Sequence, residues 1–287
     1  MDGTASMFAL KELYGKLGIQ NVEYYIDDKP QLEVELVLKK YGITLSPVKN
    51  ISDKDNFILV DCNDLGKAHT TVAPKSIIEV IDHHPRSEDL KDFTNAKIDI
   101  QEIGAVATLV VERFVGNDIT PSLESATLLY HAIASNTVNL KGDVTTERDL
   151  QAFNSLEKLY SKNLSRENIE DIFKQKSQIN NLEEVILSDL KIIGVPIIIA
   201  QLELANANEF FNKNVAELRR IMKLLSNQSQ IEDVMLNIID ILNGYNIILC
   251  PSQNLRYKLS KIGLDFKDDV AKTDKIIMRK QFAAKLT

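Results

Sequence analysis

The sequence lacks the features that mark secreted and membrane proteins. It holds two cysteines in 287 residues, Cys62 and Cys250, and their separation fits neither a disulfide framework nor a zinc site. The longest nearly uninterrupted apolar run, residues 192–202, is about half of a membrane span, and no basic segment leads into an apolar one at the N-terminus. We therefore expect an untargeted protein of the reducing cytoplasm with no membrane partner.

Basic charge is also scarce. The chain has 34 Lys and Arg residues against 41 Asp and Glu residues, and its net charge is -7. Non-specific binding to a phosphate backbone needs clustered Lys and Arg, so we expect no nucleic-acid partner. A small phosphorylated substrate remains compatible with this balance, because bound divalent cations reverse the sign of the local charge.

The first half of the chain predicts an α/β domain. Short apolar runs rich in β-branched residues alternate with helical patterns, which is typical of a parallel sheet covered on both faces. Asp2, directly before the first helix, is suited to a metal ligand or to a plain helix cap. The predicted elements are a helix at residues 4–18, a strand at 22–26, a helix at about 31–41, strands at 57–60, 77–81 and 97–100, and a helix at 121–134.

The second half predicts a smaller α+β domain. We place the first domain at residues 1–150, a helical linker at 151–165 and the second domain at 166–287, because a charged helical stretch separates two differently patterned regions. The elements predicted after the linker are strands at 190–193 and 197–202 around a turn at 194–196, a helix at about 215–225, strands at 234–241 and 246–250 joined at Asn243-Gly244, and a strand at 276–278.

Ionisable residues follow two of the predicted parallel strands directly. Asp61 comes after residues 57–60, and Asp82, His83 and His84 come at the end of the next strand. Since ligands bind at the carboxyl ends of parallel strands, we expect these side chains to converge on one crevice. Carboxylate oxygen with imidazole nitrogen suits Mn²⁺, Co²⁺, Zn²⁺ or Fe²⁺ better than Ca²⁺. A polar loop after a strand is the simpler alternative.

The individual residues of this group have separable predicted roles. Adjacent side chains at a strand end diverge, so one of His83 and His84 is expected to bind metal and the other to contact a substrate oxygen, with Asp82 orienting an imidazole. An aspartate such as Asp61 can bridge two ions about 3.5–4 Å apart, which together polarise phosphoryl oxygens and activate water. His131, in the middle of a helix, is expected to be a packed or surface histidine rather than a metal ligand.

Residues 80–85, Val-Ile-Asp-His-His-Pro, resemble the signature of the DHH phosphoesterase superfamily. Residues 59–64 resemble its upstream aspartate motif, and residues 132–149 are similar to the third block of its pyrophosphatase branch. Residues 278–281 are similar to a basic block of the C-terminal DHHA2 domain. The resemblance implies a family II (manganese-dependent) inorganic pyrophosphatase or a relative such as an exopolyphosphatase.

The resemblance also implies residue roles. Asp61 would bridge two metal ions, His83 would bind one, and His84 would face the phosphate; the acid before the first helix would serve the second metal. The cofactor implied is a pair of divalent ions, Mn²⁺ or else Co²⁺ or Mg²⁺. The full implied set is Asp2, Asp61, His83 and Asn136 for metal, Asp82 and Asn63 as their supports, Asp61 and His84 for catalysis, and His84, Arg279, Lys280 and, more weakly, Lys191 for the substrate.

Three departures from the family pattern bear on activity. The chain begins after the position of the family's first strand and His-x-Asp motif, and we expect in-frame codons upstream to encode them. Asn136 stands where the family has a metal-binding aspartate, and Cys62 replaces a histidine. The sequence thus predicts hydrolysis of a phosphoanhydride, pyrophosphate or short polyphosphate, by two-metal water activation. The alternatives are a weak or inactive phosphate- or nucleotide-binding protein and a DHH phosphodiesterase; a homodimer is compatible with the resemblance.

Overall fold

The chain forms two compact units in a computed structural model that describes residues 1–26, 31–52, 54–67, 72–193 and 196–286. Unit 1 comprises Met1–Leu140 and Val144–Ile169, and unit 2 comprises Lys141–Asp143 and Glu170–Thr287.

The sheet of unit 1 is parallel, as predicted. Its strands are β1 (Phe57–Val60), β2 (Ile77–Asp82) and β3 (Lys97–Ile100), in that order, and both pairs run parallel. Ile77 and Val80 of β2 are fully buried and pack with Phe93, from the segment before β3. The apolar β-branched run therefore forms the central strand, whose carboxyl end carries the ionisable residues.

Helices surround this sheet. The first, α1, begins at Asp2 and packs against α3 and α4. His131 in α4 is buried, lies 3.2 Å from the hydroxyl of Tyr41 through Nε2, and is packed edge-on against the Tyr41 ring, as its predicted packing role requires. The helices are α1 (Asp2–Lys16), α2 (Leu32–Tyr41), α3 (Val106–Gly116), α4 (Leu123–Asn136), α5 (Glu147–Leu159) and α6 (Arg166–Lys176), the last crossing the boundary between the units.

The strand predicted at residues 22–26 is wrong. These residues have no regular secondary structure. Tyr24 is instead buried by packing edge-on against Phe8, and its hydroxyl accepts a hydrogen bond from the Ser46 amide at 2.6 Å. Strand-like composition reflects a fit to any half-buried surface, so side-chain packing alone satisfies it here.

Unit 2 is built on a six-stranded mixed sheet in the order β4-β5-β6-β7-β9-β8, in which only β5 and β6 run parallel. Alternate residues of β5 pack on α8 on one face and on α9 and α10 on the other. The strands are β4 (Leu190–Ile193), β5 (Ile197–Leu204), β6 (Val234–Asp240), β7 (Tyr245–Leu249), β8 (Phe266–Lys267) and β9 (Val270–Lys272), and the helices are α7 (Leu182–Ser188), α8 (Ala207–Ser229), α9 (Gln253–Lys261) and α10 (Arg279–Leu286).

Turns of unit 2 were predicted with uneven success. Asn243-Gly244 does join the antiparallel strands β6 and β7, and Gly244 has a φ of 78°, which glycine adopts without strain. The turn predicted at residues 194–196 lies largely outside the described residues. Strands β8 and β9 were not predicted, because two or three residues are too short to show a period.

The strand predicted at residues 276–278 is also wrong. The segment is irregular and leads into α10, and side-chain amides supply the hydrogen bonds that a neighbouring strand would give. The Ile277 carbonyl accepts from Nδ2 of Asn237 at 3.0 Å and of Asn246 at 2.6 Å, and its amide donates to Asn246 Oδ1. Gln201 Oε1 accepts from the Arg279 amide and from Asn237.

Within the described ranges, no helix combines the length and the apolar character needed to cross a bilayer.

Candidate metal centre

Two neighbouring strand ends build the centre. Asp61 is the first residue after β1, and its amide donates to the Ile81 carbonyl of β2 at 2.9 Å. Because β1 and β2 are parallel, the residues that follow both strands meet at one edge of the sheet. Asp61 Oδ1 lies 3.5 Å from His83 Nε2 and 3.7 Å from His84 Nδ1. The predicted convergence of these residues is confirmed.

Asp61 has a constrained backbone. Its φ is 60°, in the left-handed region that Asn and Asp adopt more readily than other non-glycine residues. The amide of Gly3, in the first turn of α1, donates to Asp61 Oδ2 at 3.1 Å. A Cβ at Gly3 would lie only 3.3 Å from that oxygen, so glycine allows the close approach of the helix to the carboxylate. Asp61 Oδ2 is thereby fixed by a hydrogen bond, whereas Oδ1 takes no part in this contact.

The second oxygen, Asp61 Oδ1, is buried and accepts no hydrogen bond from the residues that the structure describes; the ring nitrogen His83 Nε2 lies 3.5 Å away. A buried carboxylate oxygen without a partner costs free energy, which a bound cation would remove. One carboxylate oxygen and one ring nitrogen from each of His83 and His84 lie within 4.8 Å of one another. This donor set is suited to Mn²⁺ or Co²⁺, so the residues present fit a divalent metal.

Asp82 fixes the His84 imidazole and the backbone that follows β2. It is fully buried, and its Oδ1 accepts from the amides of His83 and His84 and from His84 Nδ1 at 2.8 Å. Its other oxygen accepts from Asn63 Nδ2, and Asn63 Oδ1 in turn accepts from the Ser87 amide. Burial opposes the charged form of Asp82, but the bonds from His84 and Asn63 outweigh it and lower the pKa to about 2. Asp82 is therefore an anionic acceptor for the His84 imidazole and for the backbone amides of both histidines.

His83 is held at its other ring nitrogen. Nδ1 lies 3.0 Å from the carbonyl of Ile103, which leaves Nε2 facing Asp61. Burial favours the neutral ring, but the carboxylates of Asp61 and Asp2 outweigh it and raise the pKa of His83 to about 9. An imidazole that donates from one nitrogen to a carbonyl is oriented as a metal-ligating histidine normally is.

Asp2 lies beside this group and is almost fully buried. Its Oδ2 accepts from the Val106 amide at 2.7 Å and from Asn136 Nδ2 at 2.6 Å, and its Oδ1 accepts from the Ala107 amide at 2.8 Å. Burial, together with the charge of Asp61, raises the pKa of Asp2 to about 7. The predicted pair Asp2 and Asn136 is thus brought into direct contact, with Asn136 donating to the carboxylate.

The predicted substrate-binding residues outside this group lie in unit 2. Arg279 begins α10, and its guanidinium donates to the carbonyl and to Oδ1 of Asp189 at 2.6 and 2.8 Å. Lys280 and Lys191 are exposed. Binding of phosphate by these three residues stays a prediction.

The backbone donors at the start of α3 were missed by sequence reasoning. The run 104–108, Gly-Ala-Val-Ala-Thr, signals a helix start with small residues, but nothing in it identifies Asp2 as the partner of the Val106 and Ala107 amides. Helix N-termini favour carboxylates because their first amides are unpaired. The start of α1, with Asp2, and the start of α3 are each recognisable in the sequence, but only the folded chain brings them into contact.

Comparison with known proteins adds the family. Residues 1–133 match a family model described as "DHH family, N-terminal domain". The chain is 25% identical over 253 residues to a manganese-dependent inorganic pyrophosphatase of Methanothrix thermoacetophila, covering 86% of this chain and 80% of that protein. It is 23% identical over 290 residues to a probable manganese-dependent inorganic pyrophosphatase of Clostridium acetobutylicum, covering 98% and 91%.

A solved structure shares the fold. The putative family II inorganic pyrophosphatase of Methanococcus jannaschii superposes with a TM-score of 0.64 at 22% identity, over 89% of this chain and 87% of that one. Residues 1–133 match the N-terminal domain of the DHH family, in agreement with the resemblance that the sequence shows at residues 80–85.

Proposed function

We propose that this protein is a metal-dependent phosphohydrolase that cleaves the phosphoanhydride bond of inorganic pyrophosphate or short polyphosphate. The observation that carries the proposal is the buried Oδ1 of Asp61, which accepts no hydrogen bond within the described part of the chain and faces the imidazoles of His83 and His84. The DHH-family match and the pyrophosphatases among the relatives support it.

Four side chains would hold the cations. Asp61 and His83 would bind one ion, Asp61 would be shared with a second, and Asp2 and Asn136 would complete that second position. When bound, the ions supply Lewis-acid polarisation of phosphoryl oxygens and lower the pKa of water.

His84 is suited to the substrate rather than to metal. Its side chain is more than half exposed, and its Nδ1 is engaged with Asp82, so Nε2 is the nitrogen left for a phosphoryl oxygen. An N–H donor there would stabilise negative charge that develops during phosphoryl transfer. In unit 2, Arg279 and Lys280 would bind phosphate oxygens, the guanidinium by two parallel bonds and the ammonium as a point charge.

A second candidate function is binding without turnover. Asp2 accepts hydrogen bonds from Val106, Ala107 and Asn136, and Asn136 brings no negative charge to the position of the second ion. A weakly held second ion would leave a protein that binds a metal and a phosphorylated ligand but hydrolyses it slowly.

Phosphate release separates the candidates. Phosphate release from pyrophosphate, tripolyphosphate and ATP is measured in the presence of Mn²⁺. We expect phosphate to be released from pyrophosphate and from tripolyphosphate. Asp61→Asn should abolish it, because the amide lacks the charge that holds the ion. The matched control is Asp118→Asn, the same change at an exposed aspartate that also has a left-handed φ, of 55°, and it should leave release unchanged. Mn²⁺ binding without release would favour the binding function, and equal release from Asp61→Asn would contradict the proposal.

A further inference from the structure

Asp149 is a fully buried carboxylate outside the metal-binding group. At the start of α5 it forms a reciprocal cap with Thr146, whose amide and hydroxyl donate to Asp149 Oδ2 at 2.8 and 2.7 Å. A helix cap needs no more than this. Yet Oδ2 also accepts from the Gly104 amide at 2.9 Å, and Oδ1 accepts from the Thr108 hydroxyl at 2.6 Å. Asp149 therefore holds the connection between β3 and α3 as well as its own helix.

The same connection holds two of the candidate metal ligands. The Ile103 carbonyl lies 3.0 Å from His83 Nδ1, and the Val106 and Ala107 amides donate to Asp2 at 2.7 and 2.8 Å. Six consecutive residues, 103–108, thus have Asp149 on one side and the metal centre on the other. The Gly104 amide and the Thr108 hydroxyl bond to Asp149, whereas the backbone groups of residues 103, 106 and 107 contact the candidate ligands.

The contact between Asp149 and the connection is too close for any residue but glycine. A Cβ at Gly104 would lie 2.8 Å from Asp149 Oδ2 and 2.7 Å from Thr137 Cγ2, distances at which one of the groups must move. Gly104 follows directly after Ile103, whose carbonyl fixes the His83 ring. A shift of Asp149 is therefore transmitted to that carbonyl through a single peptide unit.

We propose that Asp149 is a positioning residue for the metal centre, and that it sets the orientation of the His83 imidazole and of the Asp2 carboxylate through residues 103–108. The proposal rests on the metal-dependent function proposed above. Its physical basis is that an anionic acceptor forms stronger hydrogen bonds than a neutral one, so the carboxylate holds Gly104 and Thr108 more firmly than an amide can. Groups that orient metal ligands in this way affect metal affinity without touching the ion.

The first variant is Asp149→Asn, in the full chain. We expect the Mn²⁺ dissociation constant, from titration of free Mn²⁺ by electron paramagnetic resonance, to rise by about tenfold, the lower end of what loss of an orienting partner causes. The visible spectrum of the Co²⁺-loaded protein should shift as the ligand geometry relaxes. The matched control is Asp240→Asn, at another fully buried carboxylate that accepts from backbone amides, here of Ala207 and Asn243 in unit 2. It should lower the unfolding midpoint and leave Mn²⁺ affinity unchanged.

Thr108→Val is a smaller change that tests the proposal even if Asp149→Asn does not fold. Thr108→Val removes one bond to Asp149 and keeps the shape of the side chain, and we expect Mn²⁺ affinity to fall roughly threefold, typical of a change at one coupled residue. Thr108→Ser keeps the hydroxyl and should restore affinity to the wild-type value. Unchanged affinity in both folded variants, Asp149→Asn and Thr108→Val, would overturn the proposal.

A readout without metal separates this proposal from the proposed function. In the metal-free protein, the exchange of the His83 Nδ1 proton with water, measured by nuclear magnetic resonance, should accelerate in Asp149→Asn and in Thr108→Val but not in the Asp240→Asn control. If wild-type protein fails to bind Mn²⁺ while this exchange pattern is seen, the proposed function is wrong and the positioning role stands. An unchanged exchange rate in Asp149→Asn would contradict the positioning role itself.

Discussion

The carboxylate of Asp2 and the imidazole of His83 share a buried site in which a proton competes with a cation. Burial is the main cause that raises the pKa of Asp2 to about 7. Burial favours the neutral His83 ring, but the nearby carboxylates outweigh it and raise the pKa of His83 to about 9. A metal ion binds the deprotonated forms of both groups. Metal binding is therefore expected to release protons.

The affinity for Mn²⁺ is expected to increase with pH. Below pH 7 both groups are protonated and oppose binding, so the Mn²⁺ dissociation constant should fall as the pH rises from 6 to 9. Calorimetric titration in two buffers with different ionisation enthalpies measures the protons released per ion at pH 7 and 8. An affinity that is flat across this range would contradict a role for His83 as a ligand.

Asn136 is the residue at which a single change should strengthen the site. Asn136→Asp adds a carboxylate 2.6 Å from Asp2, so Mn²⁺ should bind more tightly through the added charge. The metal-free variant should be less stable than wild type, because like charges then share a buried site. Calorimetry gives the affinity, and thermal unfolding with and without Mn²⁺ gives the stability. Unchanged affinity would count against Asn136 as a ligand position.

Residue-level prediction from the sequence reached the side chains of this site but not its backbone donors. Asp61, His83 and His84 were placed together because residue type and strand position identify them. The Val106 and Ala107 amides carry no residue-specific signal, since any residue except proline supplies the same donor. Their partner Asp2 is over a hundred residues away in sequence, which only the folded chain reveals.

At the scale of elements, three buried amides replace a strand. Asn237 of β6 and Asn246 of β7 are fully buried and join Gln201 of β5 in holding the irregular segment before α10. Residues 276–278 have the composition of a strand, but the hydrogen-bond partners of Ile277 are side-chain amides rather than a neighbouring strand. Period and composition detect burial, whereas they do not show which groups satisfy the backbone.

Removing one member of this amide group should be costly. Asn237→Ala leaves Gln201 Oε1 and Asn246 Nδ2 each short of a buried partner, so we expect the free energy of unfolding to fall by about 2 kcal/mol. Urea denaturation measures the change. The control is Asn254→Ala, at an exposed asparagine of α9, which should change stability by less than about 0.5 kcal/mol. A similar small effect for Asn237→Ala would show that the amides are not tightly coupled.

Regular elements were the easier part of the fold to predict. Strands β2 and β5 follow from short apolar runs that begin with isoleucines, and α2 ends just before Gly42, which takes the left-handed φ of 66° that the helix cap requires. Helix α8 runs from Ala207 to Ser229, well beyond the predicted 215–225, because the flanking residues 207–214 and 226–229 are mainly polar and show no sustained apolar period.

At the scale of the whole molecule, the metal-binding group and a separate apolar core lie in different units. All residues of the group belong to unit 1, whereas the six-stranded sheet of unit 2 encloses its own cores on both faces. A ligand that binds only the native state stabilises it, and the amides nearest the ligand gain the most protection from local opening.

Hydrogen exchange with Mn²⁺ alone, without substrate, should therefore be uneven. We expect slower exchange at β2 and at the first turn of α3, where Val106 and Ala107 lie, and little change across β5, β6 and β7. Mass spectrometry of peptic peptides resolves these regions. Protection confined to unit 2 would place the metal elsewhere and contradict the assignment of the centre.

The left-handed backbone of Asp61 restricts what can replace it during evolution. Asn and Gly would keep the turn after β1 but lose the negative charge, and Glu would keep the charge but lose the ease with which Asp enters that conformation. None of these substitutions preserves both the left-handed conformation and the negative charge, so we do not expect a replacement at this position to be neutral. An invariant aspartate there would record selection for the path of the chain as well as for chemistry, and invariance alone would not distinguish an active enzyme from an inactive descendant that still folds.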